Sequence, residues 1–233
     1  RYWWTAGRSQ TAPISSLDGA MPNGDRSIDL VVLTHLDSDH SRGLLDVLDT
    51  YEVGAALSGA GSPDSVMYAQ WQAGLARSDV EVVSVHRGYS LDLGSGVSAE
   101  VLNPGSGSSG VSPNNEALVL RVSYGAISFL LTADIEAEAE AVLAARGSGI
   151  QSTVLKVGHH GSKTSSTAGF LDAVDPAAAV ISVGESNSFG HPNTEVVERL
   201  LRQTGLNNLY RTDRDGQVEF ITDGQELWVN TER

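Results

Sequence analysis

The chain lacks cysteine and long apolar runs, and each absence excludes a class of protein. None of its 233 residues is cysteine, which excludes disulfides, a thiol nucleophile and cysteine-ligated zinc. Its apolar runs, such as Leu30–Leu33 and Phe129–Leu131, are far shorter than the roughly 20 residues that a membrane span needs. The sequence as given therefore predicts no membrane-crossing helix.

Basic charge is also scarce. Fifteen lysines and arginines stand against 29 acidic residues, which gives a net charge of −14, and the only lysines are Lys156 and Lys163. This balance argues against a protein that grips nucleic acid by bulk electrostatics, but bound divalent cations can reverse the charge locally. With 40% hydrophobic and 19% charged residues, the composition is that of a globular protein. The start at Arg1, without a signal-peptide pattern, indicates a piece of a longer or processed protein.

Strand-length apolar runs alternate with helical patterns along the chain. Ile28–Thr34 is a predicted strand and Ser41–Tyr51 the helix after it. At the C-terminus, turns at Asp215–Gly216 and Asp223–Gly224 predict a meander of three hairpin-linked strands. The alternation mixed with hairpins predicts an α/β fold with mixed sheets, and residues 1–233 are interpreted as a single domain.

Polar clusters follow four of the predicted strands. His35-Leu36-Asp37-Ser38-Asp39-His40 follows the first, Asp134 and His159-His160 follow two later ones, and Asn187–Pro192 follows a fourth. Ligands of open α/β sheets bind beyond the carboxyl ends of strands, so we expect these clusters to form a site.

The density of imidazoles and carboxylates in the first cluster predicts divalent metals, because adjacent carboxylates repel each other unless cations offset their charge. The alternative is a solvated acidic loop, with Asp134 as a helix cap and His191 as a structural histidine. His86, which has no such cluster around it, is interpreted as structural or surface-exposed.

The two lysines leave alternatives open. Lys156 interrupts an apolar strand, so either it points at an anion, as its place before the two histidines favours, or its ammonium reaches the surface. Lys163 is either an ordinary loop lysine or a substrate contact.

Six segments together resemble the metallo-β-lactamase fold, and most closely the C-terminal domain of the ComEC family of DNA-uptake channel proteins. These segments, within a resemblance that runs from about Arg1 to Val229, are THLDSDH (34–40), NNEALVL (114–120), LLTADIE (130–136), LKVGHHGSKTSS (155–166), ISVGESNSFGHPN (181–193) and RTDRDGQV (211–218).

The resemblance implies a four-layer αββα sandwich of two mixed sheets with a two-metal site at one edge. The metal ligands that it implies are His35, Asp37, Asp39, His40, Asp134 and His160. Asn115 stands near the site where many relatives have histidine; Lys156, His159 and His191 face the substrate as catalytic groups, and Asn115, Ser162 and Lys163 contact it. His160 is the favoured ligand and His159 its phosphate-facing or proton-donating neighbour, with the reverse assignment open. Because Asp37 and Asn115 make the site oxygen-rich, manganese is favoured and zinc is the alternative.

The sequence departs from this family pattern at four places. The strand with the Asp-x-Gly-Gln-Gly-Asp motif is missing upstream of Arg1, and Thr5-Ala6-Gly7 replaces the usual Asp-Gly-Gly or Asp-Thr-Gly. Arg42 and Ala133 stand where glycine is common. The implied ligands are all retained.

The function that the resemblance implies is metal-dependent hydrolysis of DNA phosphodiesters during DNA uptake, with degradation of the strand that does not enter the cell. A small phosphodiester, phosphocholine ester or lactone is an alternative substrate, and a non-catalytic module that docks DNA or partner proteins is a third hypothesis. The resemblance also implies weak, sequence-independent DNA binding, and partners in the membrane channel and other domains of a parent protein. It places the chain as a soluble domain of a bacterial cell-membrane protein on the exocytoplasmic side.

Overall fold

The structure is a computed structural model that describes residues 17–19, 21–58, 65–105 and 112–233. The chain forms two compact units, Arg1–Val85 and His86–Arg233. Of the helices in the described ranges, none combines the length and the apolar character that crossing a membrane requires.

The first unit alternates strands and helices. Its elements are β1 (Ser27–Leu33), α1 (Ser38–Thr50), β2 (Glu52–Ser58), α2 (Val66–Arg77) and β3 (Glu81–Ser84). The three strands are parallel neighbours in the order β1-β2-β3. Val47 and Leu48 of α1 pack with Trp71 and Leu75 of α2 in one apolar cluster with β1, and burial of these side chains holds the helices on the sheet.

The second unit contains the larger sheet. Its strands and helices are β4 (Ser90–Asp92), β5 (Val97–Asn103), β6 (Val119–Tyr124), β7 (Ile127–Leu131), α3 (Ala137–Ala144), β8 (Val154–Lys156), α4 (Ala168–Val174), β9 (Ala178–Ile181), α5 (Thr194–Thr204), β10 (Leu209–Arg211), α6 (Thr212–Asp215), β11 (Val218–Thr222) and β12 (Leu227–Thr231). Short 3₁₀ segments lie at Pro113–Glu116, Gly147–Ile150 and Gly158–Gly161.

The seven-stranded sheet changes from antiparallel to parallel pairing at β7. Strands run in the order β10-β9-β8-β7-β6-β5-β4; β4 to β7 pair antiparallel, whereas β7, β8, β9 and β10 pair parallel. The carboxyl ends of β7, β8 and β9 therefore share one edge of the sheet. The α/β class with a mixed sheet is confirmed, and the residues after these three strands are brought together.

Two sequence-based expectations about elements are wrong. Helix α1 begins at Ser38, three residues before the predicted start, because an acidic residue in the first turn complements the helix dipole. The predicted C-terminal meander is reduced to one hairpin, β11–β12. Strand β10 instead pairs parallel with β9, and the segment after it forms α6, where the Asp215 carboxylate accepts the backbone N–H of Arg211 at 2.6 Å.

Some sequence interpretations fall outside these observations. Thr5-Ala6-Gly7 lies outside the described residues. The interpretation of residues 1–233 as one domain stays a prediction beside the two compact units.

Candidate functional site

The first unit carries four of the predicted ligands at the junction of β1 and α1. Asp37 has extended backbone angles and is the N-cap of α1, so Asp39 and His40 fall in the first helical turn. The buried Ser41 hydroxyl donates to the carbonyl of Asp37 at 2.9 Å, and the Thr34 hydroxyl lies 3.1 Å from Nδ1 of His35. Because β1 leads directly into α1, all four predicted ligands lie at this junction.

The ligand atoms of this junction lie close together. His35 Nε2 is 3.9 Å from Asp37 Oδ2, and His40 Nε2 is 3.9 Å from Asp39 Oδ2. The rings of His35 and His40 have centroids 4.1 Å apart. Two imidazoles and two carboxylates at such distances form a nitrogen–oxygen donor set of the kind that divalent metals bind.

In the second unit, Asp134 follows β7 through a fixed turn. The Thr132 hydroxyl donates to the carbonyl of Lys156 at 2.6 Å and so ties the end of β7 to that of β8. Ala133 adopts a left-handed conformation, with φ of 47°, and its carbonyl accepts the backbone N–H of His159 at 3.1 Å. Asp134 itself is only 3% exposed.

The histidine pair after β8 lies in a run of left-handed backbone. His159, His160 and Gly161 have φ of 47°, 53° and 77°, a conformation costly for residues with a Cβ and typical of functional loops. The Nδ1–H of His160 donates to the carbonyl of Ser182 at 2.7 Å, which makes Nε2 the nitrogen with a lone pair. That Nε2 lies 3.5 Å from Asp134 Oδ2. An imidazole held at Nδ1 by a carbonyl is the usual arrangement of a metal-binding histidine.

His159 faces a different set of groups. Its Nδ1 lies 3.5 Å from Glu136 Oε1, an oxygen that also accepts a hydrogen bond from the Thr164 hydroxyl at 2.9 Å. Its ring meets the ring of His191 edge to face, with centroids 5.7 Å apart. The geometry therefore separates the pair: His160 turns to Asp134, and His159 turns to Glu136 and His191.

Chemically, the donors of each unit fit divalent metals. Each unit contributes imidazole nitrogen and carboxylate oxygen, the donors shared by zinc and manganese sites. The carbonyl behind His160 and the threonine hydroxyl beside His35 are partners that orient ligand imidazoles.

A buried carboxylate supports the loop that follows the histidine pair. The two carboxylate oxygens of Glu140 accept the backbone N–H groups of Ser166 and Thr167, the latter at 2.8 Å. Burial raises the pKa of Glu140, although these hydrogen bonds and the Arg199 charge oppose the shift. Arg199 in turn donates to the carbonyls of Ser165 and Ser166 at 3.3 and 3.0 Å. Residues 165–167, which lead into α4, are thus held by Glu140 and by Arg199.

The remaining predicted site residues have local contacts of their own. Lys156 is half-buried and its ammonium donates to the carbonyl of Val157 at 3.0 Å. The Ser162 hydroxyl lies 3.0 Å from that of Thr164, and Lys163 is exposed. Asn115 accepts the backbone N–H of Glu136 at 2.8 Å and donates to Glu138 at 3.1 Å, so its amide braces the start of α3. The substrate roles of these residues stay predictions.

Three residues near the predicted site were not among the residues that the sequence pointed to: Glu136, Glu140 and Phe189. Acidic residues at the start of a helix complement its dipole, so Glu136, the N-cap of α3, carries no signal of a site. Glu140 lies three residues before the buried Leu143 and hence on the same helix face, a pattern that signals a buried acid. Phe189 has no comparable signal, because a single aromatic residue in a polar loop is common.

The departures from the family pattern are accommodated locally. Arg42 is exposed on α1, where any side chain fits. Ala133 occupies a left-handed position, which explains why glycine is common there. His86 is exposed, and its Nδ1 donates to the carbonyl of Arg87 at 3.0 Å.

Comparison with known proteins identifies relatives of this chain. The profile of the Metallo-beta-lactamase superfamily matches residues 22–185. The chain is 36% identical over 220 residues to "Competence protein ComA" of Neisseria gonorrhoeae, which covers 93% of the chain and 28% of that protein. It is 32% identical over 202 residues to "ComE operon protein 3" of Bacillus subtilis, which covers 84% of the chain and 25% of that protein. The chain thus spans about a quarter of the length of these relatives.

Solved structures resemble the chain in fold. CmlA, a diiron beta-hydroxylase from Streptomyces venezuelae, matches 83% of the chain and 44% of its own length, with a TM-score of 0.53 and 15% identity. The metallo-beta-lactamase fold protein YhfI from Bacillus subtilis matches 93% of the chain and 83% of its own length, with a TM-score of 0.54 and 11% identity. At such identities the likeness concerns the fold alone.

Proposed function

Because the chain belongs to the metallo-beta-lactamase superfamily, most of whose members are metal-dependent hydrolases, we propose that it hydrolyses DNA phosphodiesters with divalent metals. The observation that carries the proposal is the pair of donor sets after β1 and after β7 and β8. Similarity to a competence protein and to a ComE operon protein supports DNA as the substrate.

The proposed metal ligands are His35, Asp37, Asp39 and His40 in the first unit and Asp134 and His160 in the second. These residues would hold the two divalent metals. When bound, such metals would supply Lewis-acid polarisation of the phosphoryl group and a water-derived nucleophile at neutral pH. Three carboxylates among six ligands favour manganese over zinc.

The other residues act on the substrate directly. Lys156 and His191 offset charge on the non-bridging phosphoryl oxygens. His159, oriented at Nδ1 by Glu136, gives a proton to the leaving oxygen from its other nitrogen, a task for which His191 is the alternative. Asn115, Ser162 and Lys163 contact the flanking backbone of the DNA.

The relatives support a proposed biological setting. The chain spans about a quarter of each, so we place it as one domain of a longer bacterial membrane protein, on the exocytoplasmic side. There it degrades the DNA strand that does not enter the cell. The net charge of −14 keeps DNA binding weak and independent of sequence, and the channel and other domains of the parent protein deliver the substrate.

The decisive experiment is cleavage of single- and double-stranded DNA by the purified chain reconstituted with manganese or zinc. The matched control combines Asp39→Ala with Asp134→Ala, one substitution in each unit. We expect wild-type cleavage well above the control, and equal rates for both would overturn the proposal. Anomalous scattering at the manganese and zinc edges from a crystal identifies the metal and its ligand histidine.

The same preparations separate the other two hypotheses. Turnover of model phosphodiesters without cleavage of DNA would favour a small phosphodiester or ester as substrate. Absence of divalent-metal binding at micromolar concentrations in calorimetry would favour a non-catalytic docking module.

A further inference from the structure

An exposed phenylalanine stacks beside the proposed proton donors. Phe189 is 67% exposed, although a side chain of this size usually buries most of its apolar surface. Its ring is nearly parallel to that of His191, with an interplanar angle of 16° and centroids 6.0 Å apart. His191 in turn meets His159 edge to face at 5.7 Å. Three rings therefore form a row that leads from the histidine pair to the protein surface.

The loop that carries this row is held in shape. The Asn187 side-chain amide donates to the carbonyl of His191 at 2.7 Å and to that of Gly184 at 3.0 Å. Its oxygen accepts the backbone N–H of His191 at 3.0 Å. These three hydrogen bonds of the Asn187 amide fix the conformation of the loop that carries the exposed Phe189 ring. A preorganised aromatic surface loses little conformational entropy when a flat ligand binds.

We propose that Phe189, backed by His191, is a stacking surface for an unpaired nucleobase of the DNA strand whose phosphate enters the site. This inference rests on the proposed function and adds a preference for single-stranded, base-bearing substrate. Aromatic side chains bind single strands by stacking, and every base offers a flat face, so no sequence is selected. A base inside a duplex is already stacked and paired, so the contact discriminates against intact duplex.

The charge of the chain makes such a surface useful. Two lysines and a net charge of −14 leave little attraction for a polyanion, whereas stacking on a phenyl ring does not depend on charge. An extended single strand that places its phosphate near His159 and His191 brings a neighbouring base to the next ring in the row. The contact therefore holds the substrate at the point where chemistry is proposed.

The test compares two ligands that share a backbone and differ in their bases. A fluorescein-labelled thymidine dodecamer and its fully abasic analogue are titrated with the full chain at low salt, and binding is followed by fluorescence anisotropy. Calcium is the divalent cation, so that the measurement does not depend on cleavage. We expect Phe189→Ala to weaken binding of the thymidine strand about 5- to 150-fold, the range of base–aromatic stacking, and to leave the abasic strand unaffected. Phe189→Trp should restore or strengthen the thymidine complex, and Phe189→Leu should not.

Trp228→Ala is the matched control, because Trp228 is a 51% exposed aromatic side chain on β12 and should leave both affinities unchanged. An equal loss for both strands in Phe189→Ala, or no measurable binding of the thymidine strand by the wild type, would overturn the inference. If the wild type cleaves DNA and Phe189→Ala binds normally, the proposed function stands without the stacking surface. If the base-dependent loss appears without cleavage, the stacking surface stands and the proposed nuclease activity fails.

Discussion

The two units build their donor sets in different ways. In the first unit, one segment of six residues supplies four donors, and ordinary strand and helix geometry places them. In the second unit, Asp134 and His160 come from loops 26 positions apart in number, and left-handed residues hold both loops. The buried Glu140 and the half-buried Ser182, through its carbonyl, complete the second arrangement.

The two donor sets should respond differently to mutation. A contiguous motif needs only its own helix to form, so most changes around it should alter chemistry without unfolding the unit. A set assembled from separate loops depends on supports that never touch the substrate. Mutations in the second unit should therefore affect stability and the site together.

The largest expected effect is loss of activity when either donor set is broken. Asp39→Ala in the first unit and Asp134→Ala in the second should each lower the DNA-cleavage rate by more than about 100-fold, since loss of outer-shell partners alone costs about 10- to 100-fold. Rates and the calorimetric metal stoichiometry are measured for each variant. Full activity in one of them would show that the donor set of that unit does not belong to the catalytic centre.

The second prediction concerns the buried carboxylate of the second unit. Glu140→Ala leaves the N–H groups of Ser166 and Thr167 without their acceptor, and each unsatisfied buried donor costs about 1–3 kcal/mol. We expect a loss of about 2–4 kcal/mol in the free energy of unfolding, measured by urea denaturation. Ser41→Ala in the first unit removes one hydroxyl, which donates to the carbonyls of Asp37 and Leu36, and should cost about 1 kcal/mol. Equal costs would remove the distinction between the units.

The pH dependence of this effect has a defined sign. Burial raises the pKa of Glu140 in the folded chain, so the folded state holds this proton more tightly than the unfolded state does. Its contribution to stability is complete below the unfolded-chain pKa of about 4.3 and is lost as the pH rises through the folded pKa. The difference in stability between wild type and Glu140→Ala should therefore shrink over that window. A difference that grows with pH would contradict the raised pKa.

The third prediction tests the left-handed loop. A Cβ at Gly161 would meet Cβ of Pro192 at 2.7 Å, and φ there is 77°. Gly161→Ala should destabilise the protein by about 2–3 kcal/mol through the left-handed penalty and the steric overlap. Gly147→Ala, at φ of 62° with open space around the added atom, carries only the backbone penalty of about 1 kcal/mol. Urea denaturation gives both values, and equal losses would show that the Pro192 contact yields without cost.

Part of the fold could be predicted because local periodicity dictates it. Strand β1 (Ser27–Leu33) lies one residue from the predicted Ile28–Thr34, and the helix that follows it differs from prediction only at its ends. The error in the C-terminal segment arose from a turn signal at Asp215–Gly216 that a local helix overrode. The side chain of Asp215 bonds back to Arg211, and hairpin rules based on residue type do not foresee such a contact.

The candidate site likewise has a part that the sequence could predict and a part that it could not. His35 to His40 could be found from one segment, because the density of donors is itself the signal. The separate orientations of His159 and His160 could not, because they depend on the carbonyl of Ser182 and the carboxylate of Glu136. Contacts across such sequence separations are set by the register of β7, β8 and β9 rather than by local pattern.

The smallest expected effect is a gain in stability at the turn before Asp134. Ala133 has φ of 47° and its carbonyl receives the backbone N–H of His159, so the residue cannot relax without disturbing the histidine loop. Glycine avoids the left-handed penalty of about 1–2 kcal/mol but loses more entropy on folding, by about 0.5–1 kcal/mol. Ala133→Gly should therefore raise the free energy of unfolding by about 0.5–1 kcal/mol in urea denaturation. Ala139→Gly in the helical interior of α3 is the opposite control and should lower it, since glycine only weakens a helix. If Ala133→Gly also lowers the free energy of unfolding, the left-handed turn stores no strain. The donor set of the second unit is then held by its hydrogen-bond partners alone.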